Sequence, residues 1–136
     1  MKKFSVILIE DDADDVEILR DALDMNGIQY EFTWLKDGSA AVKFFEDSEM
    51  LPHIIVMDFN LPRVHGRDVV NFIRSKKRLD PVPILILSTS SNNEDIAYAY
   101  RAGADKYLVK PATVEGIQET VSVILDMASS RITNKS

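Results

Sequence analysis

Short apolar runs alternate with segments of helical apolar spacing along the whole chain. Residues 5–9 (Ser-Val-Ile-Leu-Ile) form a β-branched run that reads as a first strand, and Glu10-Asp11-Asp12 ends it. Asp14 and Asp15 suit a helix start, where negative charge meets the positive end of the helix dipole. Val16, Leu19, Ala22 and Leu23 then recur at helical spacing until Asn26-Gly27 stops the helix. Residues 30–35 alternate as a second strand, and Asp37-Gly38-Ser39 opens a helix carrying Ala41, Phe44 and Phe45. Residues 47–52 read as a loop. Residues 54–57 are uniformly apolar, as expected of a strand buried on both faces, and Asp58 ends the run before Asn60, Leu61 and Pro62 turn the chain.

The second half repeats the scheme. Residues 66–77 predict a helix with Val69, Val70 and Ile73 inward, ending in the basic stretch 74–78, which reads as solvated surface favoured by the helix dipole. Residues 84–87 form a fourth strand ending in Ser88-Thr89-Ser90. Asn92 or Asn93 caps a helix that runs to Ala102 and stops at Gly103, with Ala97 and Ala102 facing inward. Residues 106–109 form a fifth strand ending in Lys110-Pro111. Thr113 caps a last helix with Val114, Ile117, Val121, Ile124, Leu125 and Ala128 on one face. Strictly alternating strands and helices demand a parallel sheet covered on both faces. With right-handed crossovers, a doubly wound α/β flavodoxin-like fold with five parallel strands in the order 2-1-3-4-5 is the most economical arrangement. Residues 4–128 form the expected domain, residues 129–136 a flexible polar tail, and no output domain is expected after it.

That order places the strand ends that carry Glu10, Asp11, Asp58, Ser88 and Lys110 along one edge, where open α/β sheets bind their ligands. Crowded carboxylates resist ionising unless a cation joins them. An all-oxygen set selects a hard cation such as Mg²⁺, with Asp11 and Asp58 binding directly, Glu10 through water, and a backbone carbonyl after Asp58 as a further ligand. A metal, a lysine and a hydroxyl around one carboxylate make a phosphoryl-transfer site in which the carboxylate attacks phosphorus.

Composition narrows the picture. The chain has 136 residues, 46% of them hydrophobic and 28% charged, enough for one domain with a real core. A formal net charge of -6 argues against binding DNA through its phosphates. The lack of cysteine excludes disulfides and thiolate sites and fits a cytoplasmic location. No apolar run approaches the roughly 18 residues of a membrane span.

Glu10-Asp11-Asp12 after a strand, Asp58 before Asn60-x-Pro62, Ser88-Thr89 and Lys110-Pro111 together resemble the receiver domain of two-component response regulators. The resemblance spans nearly the whole chain. It implies that Asp58 accepts a phosphoryl group from a sensor histidine kinase or phosphotransfer protein. It further implies that Asp11 and Asp58 bind Mg²⁺ directly, Glu10 through water, and the main-chain carbonyl of Asn60 completes the set. Asp12 falls outside that set. Ser88 matches the family's switch hydroxyl, Lys110 its lysine, Tyr107 its aromatic switch, and Pro111 a position where the bond is usually cis. His65 departs from the acidic residue many members carry before the glycine. Such a domain is not an enzyme beyond assisting its own phosphorylation and dephosphorylation. It signals through a downstream protein target or a homodimer, on the face of the fourth helix, fifth strand and fifth helix, where Ile96, Tyr100 and Tyr107 lie. Small regulators paired with bacterial phytochromes share its loop lengths. Three alternatives remain: a Mg²⁺-dependent phosphatase with an Asp nucleophile, a flavodoxin, and a receiver that serves only as a scaffold. Asn60 stands where such a phosphatase needs a second acid, and the acidic triplet would repel a flavin phosphate.

Overall fold

The apolar runs become the interior of a single five-stranded parallel sheet. The computed structural model describes residues 3–134. Its elements are β1 (Phe4–Ile9), α1 (Ala13–Asp24), β2 (Tyr30–Leu35), α2 (Gly38–Asp47), β3 (Ile54–Met57), α3 (Gly66–Arg74), a 3-10 turn (Lys77–Leu79), β4 (Ile84–Ser88), α4 (Asn93–Ala102), β5 (Lys106–Val109) and α5 (Val114–Asn134). The strands lie in the order β2-β1-β3-β4-β5, as expected. Ile9 stands beside Met57, and Met57 beside Ile86, so the strands end nearly level at one edge.

Successive strand side chains point to opposite faces, so each apolar run feeds two cores. Ile7, Ile9, Ile55, Met57, Ile84 and Ile86 pack on Phe45, Val69, Val70, Ile73 and Ala99 beneath α2, α3 and α4. Val6, Leu8, Ile54, Val56, Leu85 and Leu87 pack on Val16, Leu19, Leu23, Val121, Ile124 and Ala128 beneath α1 and α5. Burial of this kind contributes roughly 1.5–3 kcal/mol for each large apolar side chain. Among the strands, β1, β3 and β4 hold nearly all of it.

Five local readings change. α3 ends at Arg74, because Ser75 caps it and its hydroxyl donates to Phe72 O at 2.6 Å. The basic stretch after it is not simply solvated. Arg74 donates to Gly103 O at 2.9 Å and Leu79 O at 3.0 Å and pairs with Asp105 at 2.8 Å. Arg78 donates to the carbonyls of Phe45, Met50 and Ser48. These guanidiniums donate to main-chain carbonyls at the ends of helices and in the loops beside them. On α4, Ala99 is the buried alanine, whereas Ala97 is exposed. On α5, Val114 is 66% exposed rather than inward. That helix also continues to Asn134, past the point where a flexible tail was expected, since no Gly or Pro follows Gly116 to stop it. Residues 135–136 of that tail lie outside the described residues.

Candidate functional site

Three strand ends deliver the polar cluster. Glu10 follows β1, and its backbone N–H still bonds Leu35 O at 3.0 Å, so the sheet ladder fixes it. Its carbonyl accepts the indole N–H of Trp34 at 2.6 Å. Asp58 follows β3 and is held by its N–H on Ile9 O at 3.0 Å. Lys110 follows β5, with its N–H on Ser88 O at 2.8 Å. Glu10, Asp58 and Ser88 are buried at the sheet edge, whereas Asp11 is exposed.

The side chains converge on one ammonium. Lys110 Nζ lies 2.8 Å from Glu10 Oε1, 2.8 Å from Asp15 Oδ2 and 3.2 Å from Asp58 Oδ2. Carboxylate oxygens of Glu10, Asp11 and Asp58 lie within 4.8 Å of one another. Asp12 is absent from that group and caps α1, accepting from Asp14 N at 2.9 Å. Burial pushes Glu10 up to about 7, with the nearby Asp58 charge adding to the rise and Lys110 opposing it. Burial alone would lower Lys110, but hydrogen bonds to Asp15 and Glu10 and the charges of Glu10 and Asp58 raise it on balance. The ammonium is thus held firmly in its charged form.

Asn60 links Asp58 to Ser88. Its N–H donates to Asp58 Oδ1 at 3.1 Å, and its side-chain amide donates to Ser88 Oγ at 3.4 Å. Ser88 Oγ also accepts from Ser90 N at 3.2 Å and does not itself bond Asp58. Gly66 lets α3 start against this loop. A Cβ there would strike the Phe59 backbone, whose carbonyl accepts the Gly66 N–H at 3.0 Å. His65 caps α3, accepting from Arg67 N at 3.1 Å. Where the resemblance implies an acid, this imidazole serves as the cap.

Tyr107 lies apart from the acidic cluster. It is buried, its hydroxyl donates to Ser90 O at 2.8 Å, and its ring meets Phe59 edge-on at 6.4 Å. Its N–H donates to the hydroxyl of Tyr100, which is 46% exposed. Ile96 instead packs half-buried on the core, so the pair Ile96 and Tyr100 is split between interior and surface. No cis peptide bond occurs among the described residues, so the bond before Pro111 is trans, contrary to expectation.

Asp15 is the residue sequence reasoning missed. It reads as helix-start charge, like Asp14. The signal was its helical phase. Asp15 lies one turn before buried Leu19, on the flank of α1 that faces the sheet, whereas Asp14 lies one turn before exposed Ile18. Trp34 was missed as well, since its bond to Glu10 O depends on the register of β2.

A sequence model of the response regulator receiver domain matches residues 6–122. The chain is 31% identical over 125 residues to the probable methanogenesis regulatory protein FilR2 of Methanothrix harundinacea, covering 89% of this chain and 81% of that protein. It is 29% identical over 124 residues to response regulator Rcp1 of Synechocystis sp., covering 88% and 84%. Its fold matches the phosphorylated cyanobacterial phytochrome response regulator RcpA with a TM-score of 0.85 at 28% identity, over 95% and 96% of the two chains. It also matches the Mn²⁺-bound structure of response regulator Rcp1 with a TM-score of 0.79 at 28% identity, over 89% and 91%. With this fold and these matches, the chain belongs to the response regulator receiver domain family.

Proposed function

We propose that Asp58 accepts a phosphoryl group from a sensor histidine kinase or phosphotransfer protein, and that the phosphorylated chain signals by changing its protein contacts. The observation that carries this reading is the Lys110 ammonium 3.2 Å from a buried Asp58 carboxylate, beside two further acids. An Asp58 oxygen bonds to phosphorus as the bond from phosphorus to the donor's imidazole nitrogen breaks, and that nitrogen keeps the electron pair. Lys110 neutralises charge on the transferring oxygens. Asn60 N–H orients the carboxylate, and Ser88 lies one amide away, within reach of a phosphoryl oxygen after a small loop shift.

The acids suit a hard cation, because the group offers only carboxylate oxygens. Asp11 and Asp58 would hold Mg²⁺ directly, Glu10 through water, with the Asn60 carbonyl as a further ligand. When bound, it supplies charge neutralisation at the transferring oxygens. The chain assists only its own phosphorylation and dephosphorylation and turns over no separate substrate.

The contact face is α4–β5–α5. Tyr107 ties β5 to the loop after Ser88 through Ser90 O, so a movement of Ser88 reaches that face directly. Tyr100 and Val109 are exposed large side chains on it, whereas Tyr98 lies on the α3 side of α4, beneath Arg67. The partner is a downstream protein or a second copy of the chain.

Incubation with acetyl phosphate and Mg²⁺ followed by intact-protein mass measurement tests the reading. Wild type should gain one phosphoryl group, and Asp58→Asn should gain none. A gain in Asp58→Asn, or release of phosphate from small-molecule substrates with many turnovers, would overturn it.

A further inference from the structure

We infer that Asp15 is a positioning residue that holds Lys110 back from the phosphoryl group and so slows phosphorylation of Asp58. The inference rests on the phosphoacceptor reading and adds a regulator to that site. Lys110 Nζ has three protons to donate, and three carboxylates take them. The contacts are unequal. Asp15 and Glu10 hold the ammonium at 2.8 Å, while Asp58 lies at 3.2 Å. Only 16% of the Lys110 side chain is exposed, so little water competes for its protons. A phosphoryl oxygen on Asp58 must therefore displace an existing acceptor.

Asp15 is the acceptor whose retention opposes transfer. Glu10 belongs to the acid group that a cation would engage, and Asp58 is itself the nucleophile. Asp15 lies outside that group and makes no other side-chain hydrogen bond or ion pair among the described residues. It comes from α1 rather than from a strand end, at the third residue of the helix, so its place is fixed by the packing of Val16 and Leu19 on the sheet. Its negative charge also sits at the rim an incoming phosphodonor must approach. Competition for Lys110 and repulsion of the donor act in the same direction. No bond to Asp15 forms or breaks in the transfer. With acetyl phosphate, an Asp58 oxygen bonds to phosphorus, and acetate leaves with the electron pair of the broken phosphorus–oxygen bond.

The experiment compares initial rates of phosphorylation by acetyl phosphate in wild type, Asp15→Asn, Asp15→Glu and Asp14→Asn. It also records the Lys110 ammonium by ¹⁵N NMR in the metal-free proteins. Asp15→Asn should be faster by about three- to fivefold, the scale of a half-exposed ion pair. Asp15→Glu should return most of the way to the wild-type rate. Asp14→Asn removes the same charge from an exposed neighbour that does not touch Lys110, and should change the rate by less than half as much. The Lys110 ammonium protons should exchange faster with water in Asp15→Asn than in wild type. An Asp15→Asn rate equal to or below wild type, or an equal acceleration in Asp14→Asn, would overturn the inference while leaving the phosphoacceptor reading intact. If wild type takes up no phosphoryl group, that reading fails, and the ammonium resonance still decides whether Asp15 holds Lys110. An unchanged resonance in Asp15→Asn overturns the inference in either case.

Discussion

Glu10 illustrates how one buried carboxylate sets the character of the sheet edge. It titrates near 4.5 in the unfolded chain and near 7 when folded, chiefly because burial disfavours its charge. Between those values the folded protein binds more protons than the unfolded chain, so stability falls as pH rises through that window. Glu10→Gln removes the proton-linked penalty. In metal-free buffer, thermal melts should show the variant gaining on wild type from pH 5 to pH 8. Parallel pH profiles for the two proteins would contradict this account of Glu10. Desolvation works against the charge on Lys110 too, but the ammonium answers three acids at once, and removing its charge would leave them facing each other.

Elements are where the sequence was most legible, and where it also misled. Val16, Leu19, Ala22 and Leu23 repeat at helical spacing and are all buried, because they form one apolar flank of α1, while the rest of it is polar except for Ala13 and the exposed Ile18. α4 carries alanines at 97, 99 and 102, and spacing alone does not separate them. Only the packing against α3 and β5 selects Ala99. Arg74 shows a second limit. Charge at a helix end suits solvent as well as it suits a buried carbonyl, and its main partner, Gly103, is remote in sequence. Arg74 joins α3 to the turn after it and to the start of β5, which α4 precedes. Arg74→Met keeps most of the aliphatic stem and loses the bonds to Gly103, Leu79 and Asp105. Urea unfolding should show a loss of about 1–3 kcal/mol, the scale of hydrogen bonds made by a charged group. A change under about 0.5 kcal/mol would mean that the arginine is simply surface.

At the scale of the whole molecule, strand order follows from the alternation of strands and helices, and strand order brings Glu10, Asp11, Asp58, Ser88 and Lys110 to one edge. Residues at strand ends were therefore readable from sequence. Asp15 and Trp34 were not, because one depends on helix phase at the sheet edge and the other on the register of an outer strand. The central claim is that Asp58 becomes an acyl phosphate, and borohydride reduction tests it most directly, since it converts a phosphorylated aspartate to homoserine. The protein would be phosphorylated with acetyl phosphate and Mg²⁺, reduced, digested and sequenced by mass spectrometry. The account predicts homoserine at position 58 and at no other aspartate, Asp11, Asp12 and Asp15 included. Homoserine at another position, or a phosphoryl group that resists reduction and remains on a hydroxyl such as Ser88, would contradict it.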